Sequence, residues 1–277
     1  LNSLEARWNA FVDEALKSSE RPTGKAIHDL RVAIRRLIAL IEMIKPIIVK
    51  NNRPKILKEL KGHLKSLSTL RDIQVQILLT RKLAKDFPIM LRFLAVLTAE
   101  EKLAMKRARR EINRIDTSII GRNLQETKDE LAHLFQEKLM VEMAHSIVRG
   151  ELSKTFGQII YLRDEILHEM RENDKRIHEL RIVFKHFRYM VEALRPTLPH
   201  VTDGTLKSMN RFQVRMGDIQ DTDVLIAGLD KYSVKVSRRE REQFTPISNF
   251  LINLRNDRVN GFVASIDELY QFWERIR

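Results

Sequence analysis

Apolar residues recur at spacings of three and four along almost the whole chain, and no stretch shows the strict alternation and tight-turn signals of a β-hairpin. The pattern predicts an all-α protein. Helices are expected near residues 3–18, 25–48, 54–68, 71–85, 88–115, 122–148, 151–171, 174–194, 202–230 and 238–275, with the ninth broken near Gly217. Two loop signals interrupt the pattern, SSERPTG at 18–24 and PTLPHVTDGT at 196–205, where proline, glycine and short polar side chains cluster.

One stretch of this pattern occurs twice. IHDLRVAIRRLIALIEMIKP (27–46) and IHELRIVFKHFRYMVEALRP (177–196) align at an offset of 150, with identities at Ile27/Ile177, His28/His178, Leu30/Leu180, Arg31/Arg181, Glu42/Glu192 and Pro46/Pro196. A second echo follows at an offset of 149, where LSTLRDIQVQI (67–77) aligns with MGDIQDTDVLI (216–226) and pairs Asp72 with Asp221 and Val75 with Val224. Two motifs in the same order at nearly the same offset indicate a duplicated helical unit.

Each copy of the first motif is two-faced. With His28 at zero and about 100° per residue, Arg31 falls at roughly −60°, Arg35 at roughly −20° and Arg36 at roughly +80°, while Leu30, Ile34, Leu37, Ile41 and Ile44 fall between about 160° and 240°. In the second copy His178, Arg181, Lys185 and Arg188 share the polar side, and Leu180, Phe184, Phe187, Val191 and Leu194 share the apolar side. An ordinary solvated face mixes signs, but between residues 25 and 38 only Asp29 opposes four Lys/Arg. Like charges stacked one turn apart cost a few tenths of a kcal/mol each. A bound anion would offset that cost, so the face reads as a functional basic surface.

Composition widens this picture. Fifty Lys+Arg against thirty-seven Asp+Glu give a net charge of +13, which points to a polyanionic partner: nucleic acid, an acidic membrane surface or a phosphate polymer. Further basic positions lie on other helices. Lys58, Lys61 and Lys65 flank an apolar stripe; Lys207 is the counterpart of Lys58 at the 149 offset, and Arg211 follows it by one turn. Lys102, Lys106, Arg107, Arg109, Arg110 and Arg114 crowd one helix, and Arg255 and Arg258 lie on the last. The absence of cysteine excludes a disulfide framework, a thiolate zinc site and a cysteine nucleophile, and fits a reducing compartment. No apolar run approaches the roughly 18–20 residues of a membrane span, and no signal-peptide pattern is visible.

The paired motifs resemble the signature helices of the CHAD (conserved histidine α-helical domain) family. IHDLRVAIRR and IHELRIVFKHFRYMVE look like its first motif in each half, and LRDIQV and MGDIQDTDVL like its second; the similarity runs from about residue 5 to 275. The resemblance implies one CHAD-like domain over 1–277, built of two antiparallel four-helix units (about 1–117 and 118–277). It implies that these units are related by a pseudo-two-fold, with basic residues lining a central groove or pore. It also implies non-catalytic binding of inorganic polyphosphate or another polyanion, in the cytoplasm or on polyphosphate granules, with polyphosphate-metabolising enzymes as further partners. Residue by residue it carries over to His28, Arg31, Arg35, Arg36, His178, Arg181, Lys185 and Arg188. Lys58, Lys65, Lys106, Lys207, Arg211 and Arg255 complete the expected polyphosphate site. The sequence departs from the family pattern at His186, where arginine is usual, and at Gln74, where aspartate is usual; residues 118–150 have no internal counterpart.

Rival chemistries are weaker. His28–Asp29 and His178–Glu179 are neighbours that diverge by about 100° on a helix, and no H-x-x-x-H spacing occurs, so no metal site is expected. Asp218, Asp221 and Asp223 could in principle hold Mg²⁺, but the first half keeps only Asp72; orienting arginines is the better role for Asp72 and Asp221. No phosphate-binding loop or nucleophile–base constellation is present, so neither an enzyme nor a cofactor is expected. Single-stranded nucleic acid is the main alternative ligand, although aromatic residues for base stacking make up only 6% of the chain. A helical scaffold or regulator of a polyphosphate enzyme is the third reading.

Overall fold

The computed structural model describes residues 1–48, 53–168 and 173–276, and among these there is no strand. The helices are α1 (Asn2–Glu20), α2 (Gly24–Ile44), α3 (Arg53–Ser66), α4 (Ser68–Leu83), α5 (Met90–Ile112), α6 (Thr117–Leu134), α7 (Lys138–His168), α8 (Asn173–Leu194), α9 (Asp203–Ser233), α10 (Arg238–Ala264) and α11 (Glu268–Glu274). Helix α1 packs on α2, α4 on α5, α7 on α8 and α9 on α10; across the chain, α2 meets α8 and α4 meets α9. Helices α2 and α8 therefore form a spine against which α1, α3, α7 and α9 are laid.

Local signals mark where α2 and α9 begin. The Thr23 side chain accepts a hydrogen bond from the Ala26 amide at 3.1 Å, which satisfies one of the free N–H groups at the start of α2. Helix α9 opens with a reciprocal cap between Thr202 and Thr205. The apolar stripe expected on α2 is buried: Leu30, Ile34, Leu37, Ile41 and Ile44. The burial is wider than the stripe, because Ile38, Ala39, Leu40 and Met43 are covered as well. The C-terminal half of α2 is enclosed nearly all round, and only its N-terminal half keeps a polar side. Leu40, Met43 and Ile44, with Ala193 and Leu194 of α8, border an apolar hollow at that enclosed end.

The two halves fill their cores differently. Where α2 has Ile34 and Leu37, α8 has Phe184 and Phe187; Phe184 meets Phe212 with ring centroids 4.9 Å apart and Phe272 at 5.8 Å. Such pairs add about 0.5–1.5 kcal/mol each beyond the area they bury.

Three expected boundaries move. Helix α9 runs unbroken through Gly217; the first half breaks instead at Leu67, between α3 and α4. The expected division at Gly150 is absent, because α7 continues through it, and the chain turns earlier, at 135–137. The last expected helix is interrupted at 265–267. The expected helix end at 169–171 lies outside the described residues. A helix-interior glycine costs only about 1 kcal/mol against alanine, which packing readily outweighs.

Candidate functional site

Helices α2, α4, α8 and α9 enclose a cavity of about 430 Å³. Helix α2 gives it His28, Arg31 and Arg35, α4 gives Arg71, Asp72 and Val75, and α8 gives His178, Arg181 and Lys185; α9 supplies Gln213, Val214, Gly217, Asp218, Gln220, Asp221 and Val224. Every residue that α2 and α4 contribute is matched by its counterpart one repeat later: His28/His178, Arg31/Arg181, Arg35/Lys185, Arg71/Gln220, Asp72/Asp221 and Val75/Val224. Gly228 on α9 faces α4, where the Gln76 side-chain amide oxygen occupies the space a Cβ would take.

The lining holds five Lys/Arg side chains against three aspartates. Arg31 is 4% exposed, and its Nη1 donates to the Leu64 carbonyl at 2.8 Å, which ties α2 to α3. Burial pulls its pKa down to about 10, and Arg35 and Arg71 add to that effect while Asp72 opposes it. Burial likewise lowers Arg35. Lys185 carries the largest perturbation: burial first, then Arg181, Arg35, Arg31 and Arg188, push its pKa down to about 6. Burial raises the carboxyls of Asp72 and Asp221, and the surrounding arginines pull both back. These aspartates thus temper a cationic cluster without neutralising it. Among the described residues no three His, Cys, Asp or Glu side chains are grouped to hold a metal ion.

The two histidines are not equivalent. His28 is lowered by burial and by Arg71, with Arg35 and Arg31 adding to the effect and Asp29 opposing it. His178 is instead hydrogen-bonded through Nδ1 to the Gln220 side chain, the residue that stands where the first half has Arg71.

Of the fourteen expected site residues, the cavity gathers His28, Arg31, Arg35, His178, Arg181 and Lys185. The others lie elsewhere. Arg36 pairs with Glu192 at 2.8 Å. Arg188 donates to Gln213 at 2.9 Å and lies over the Tyr189 ring, one layer behind the lining. Lys58, Lys65 and Lys207 are exposed outside the lining. Arg211 is on a different face of α9, in a hollow with Arg215 and Arg275. Arg255 donates to Asp223 at 2.9 Å. Lys106 is the counterpart of Arg255 at the 149 offset, but Gln74 replaces the aspartate there and donates to Glu101 at 3.2 Å; Lys106 is exposed on α5. Arg71 is the lining cation the sequence reading missed. It directly precedes Asp72 in LRDIQV, but its counterpart is Gln220, so a search for repeated cations passes over it.

Residues 3–230 match the CHAD domain family. The crystal structure of the CHAD domain from the plant Ricinus communis is 15% identical, with a TM-score of 0.66 over 99% of this chain and 90% of that one. PptA from Streptomyces chartreusis is 14% identical, with a TM-score of 0.61 over 97% of this chain and 96% of that one. No curated protein matches the chain.

Proposed function

Because the chain belongs to the CHAD domain family, we propose that it binds inorganic polyphosphate non-covalently in the cavity between α2, α4, α8 and α9. The observation that carries this reading is the lining itself, in which cations from two copies of one motif converge on a single space. In this reading the chain forms two pseudo-symmetric units, about 1–117 and 118–277, and the polymer lies along the basic groove where they meet. Reciprocal contacts support that symmetry: Arg36 of α2 pairs with Glu192 of α8, and His186 of α8 faces Glu42 of α2 at 3.5 Å, each position standing 150 from its counterpart.

Arg35, Arg71 and Arg181 grip phosphate oxygens, a task for which the planar guanidinium suits paired hydrogen bonds. Lys185 adds a point charge once a polyanion restores its proton. Arg31 contributes mainly field, since one of its nitrogens is already committed to Leu64. Among the described residues the cavity lining has no Phe, Tyr or Trp on which a base could stack, which favours a ligand made of phosphates alone over single-stranded nucleic acid. The aspartates face arginines, an arrangement that suits holding a polymer and not cleaving it.

A competition assay tests the proposal. Labelled long-chain polyphosphate is displaced by unlabelled polyphosphate, DNA, RNA or ATP at one fixed salt concentration. Polyphosphate should compete best per phosphate; equal competition by RNA would overturn the assignment.

A further inference from the structure

The cavity brings together a half-buried primary amine and several guanidinium groups. Lys185 sits on α8 with Arg181 one turn before it and Arg188 just beyond; Arg31 and Arg35 face it from α2, and Arg71 and Asp72 line the wall on α4. Helix α9 closes the space with Gln213, Asp218 and Asp221. Asp221 interacts with Lys185 as well as with Arg181 and Arg71, but four arginines act on the amine, so the field at Lys185 stays cationic. The space of about 430 Å³ falls within the range of small-molecule sites, roughly 300–1,000 Å³.

We propose that Lys185 is a site of acyl transfer from acyl phosphates: the arginines around it seat the phosphate group, and Nζ takes the acyl group. The chemistry balances without a further reactant. The lone pair of a neutral amine attacks the carbonyl carbon. The bond between that carbon and the bridging phosphate oxygen breaks, and inorganic phosphate leaves with the bonding electrons. The amine proton passes to the departing phosphate or to solvent, and lysine becomes an uncharged amide. Nothing is oxidised or reduced. The surrounding guanidinium groups act twice, first on the phosphate of the reagent and then on the charge that grows on the leaving group.

Neutrality of the amine makes this step accessible near neutral pH. With its pKa at about 6 in the free protein, Lys185 is mostly unprotonated there, and a single seated phosphate, unlike a long polyanion, leaves the surrounding arginines in excess. An ordinary lysine near 10.4 is neutral about a thousandfold less often at pH 7. Part of that advantage is lost because a weaker base is a weaker nucleophile, but a lead of about tenfold over exposed lysines is expected. The product amide cannot take up a proton, so acylation would remove the charge that a polyanion would otherwise induce at this position.

The inference shares its cavity with the proposed polyphosphate site but does not depend on that ligand. The probe is acetyl phosphate, added to the intact wild-type chain across pH 6 to 9, with acetylation of each lysine followed by peptide mass spectrometry. Lys185 should lead Lys58, Lys65 and Lys207 by about tenfold at pH 7, and its rate should level off above that pH. Labelling of Lys185 no faster than Lys58, or a Lys185 rate that still climbs steeply from pH 7 to 9, would overturn the proposal. Acetylimidazole, which has no phosphate, should shrink the lead; an unchanged lead would remove the arginines' part. Selective labelling of a chain that fails to bind polyphosphate would sink the polymer reading and leave this one standing. Polymer binding without selective labelling would do the reverse.

Discussion

Helices α2 and α8 carry cations at both ends of their contact and treat them in opposite ways. Toward the C-terminal ends, each repeat supplies an acid that collects basic partners. Glu192 takes Arg36 at 2.8 Å, Arg7 at 3.3 Å and Arg188 at 3.9 Å. Glu42 takes Lys61 at 2.6 Å and His186 at 3.5 Å. Toward the N-terminal ends, Arg35, Arg181 and Lys185 crowd a cavity whose aspartates are outnumbered. One end spends its charge on holding two helices together. The other crowds cations that no equal number of acids offsets, and burial first, then its arginines, depress Lys185. Arg35 and Arg36 are adjacent in sequence and fall on opposite sides of this division, so net charge alone does not define the site.

The largest effect should come from reversing charge at the open end. Arg35→Glu with Arg181→Glu is expected to weaken binding of long polyphosphate by about a thousandfold, because two attractions become repulsions in a partly desolvated space. Far-UV circular dichroism should stay helical. A loss of less than tenfold would place the ligand elsewhere.

Stability should respond with opposite signs at the two ends. Glu192→Gln removes the carboxylate that Arg7, Arg36 and Arg188 share and should cost about 1–3 kcal/mol, read as a lower midpoint in thermal unfolding. Arg35→Gln relieves like-charge repulsion and should raise the midpoint slightly while binding suffers. A destabilising Arg35→Gln would show that this guanidinium is a structural tie like Arg36.

The pH dependence of binding sharpens the comparison further. In the empty cavity Lys185 has a pKa of about 6, and a bound polyanion opposes the causes of that depression, so the pKa is higher in the complex. A group whose pKa rises on binding takes up a proton, and affinity therefore increases as pH falls. The gain ends below about 6, where the free lysine is already charged. Affinity should rise about tenfold from pH 8 to 6, and Lys185→Gln should remove most of that slope. His28 adds a smaller contribution of the same sign, since burial and Arg71 lower it in the free protein. Titration calorimetry with long chains, whose terminal phosphates are few, checks this; an unchanged slope in Lys185→Gln would contradict it.

Salt dependence gives the smallest and most local readout. Each neutralised phosphate contributes about 0.7 to the log–log slope by analogy with single strands, so five lining cations give a slope of roughly −3 to −4. Arg71→Gln should flatten it by about 0.7, whereas Lys106→Gln should leave it unchanged.

Much of the open end was legible in the sequence. The repeated His-x-Leu-Arg pattern set opposite an apolar stripe fixes which side of α2 and α8 is buried, and six lining residues follow from it. The closed end was not legible, because Arg36 falls on the same polar side as Arg35 and only the crossing of α2 and α8 shows that Glu192 claims it. Lys58, Lys65, Lys106, Lys207, Arg211 and Arg255 were read from charge and repetition, which do not say which side of α3, α5, α9 or α10 turns toward the cavity. Helix boundaries failed for a related reason. Gly150 and Gly217 read as breaks, yet packing carries α7 and α9 through both.

The central claim is that polyphosphate is held by the unmatched cations and not by the chain's overall charge. The most direct test measures the dissociation constant for long polyphosphate in two double variants, Arg35→Gln with Arg181→Gln and Arg36→Gln with Arg188→Gln, at one pH and salt. Each removes two positive charges from α2 and α8. The first pair should lose about a hundredfold in affinity and the second no more than about threefold. Equal losses in the two variants would contradict the account.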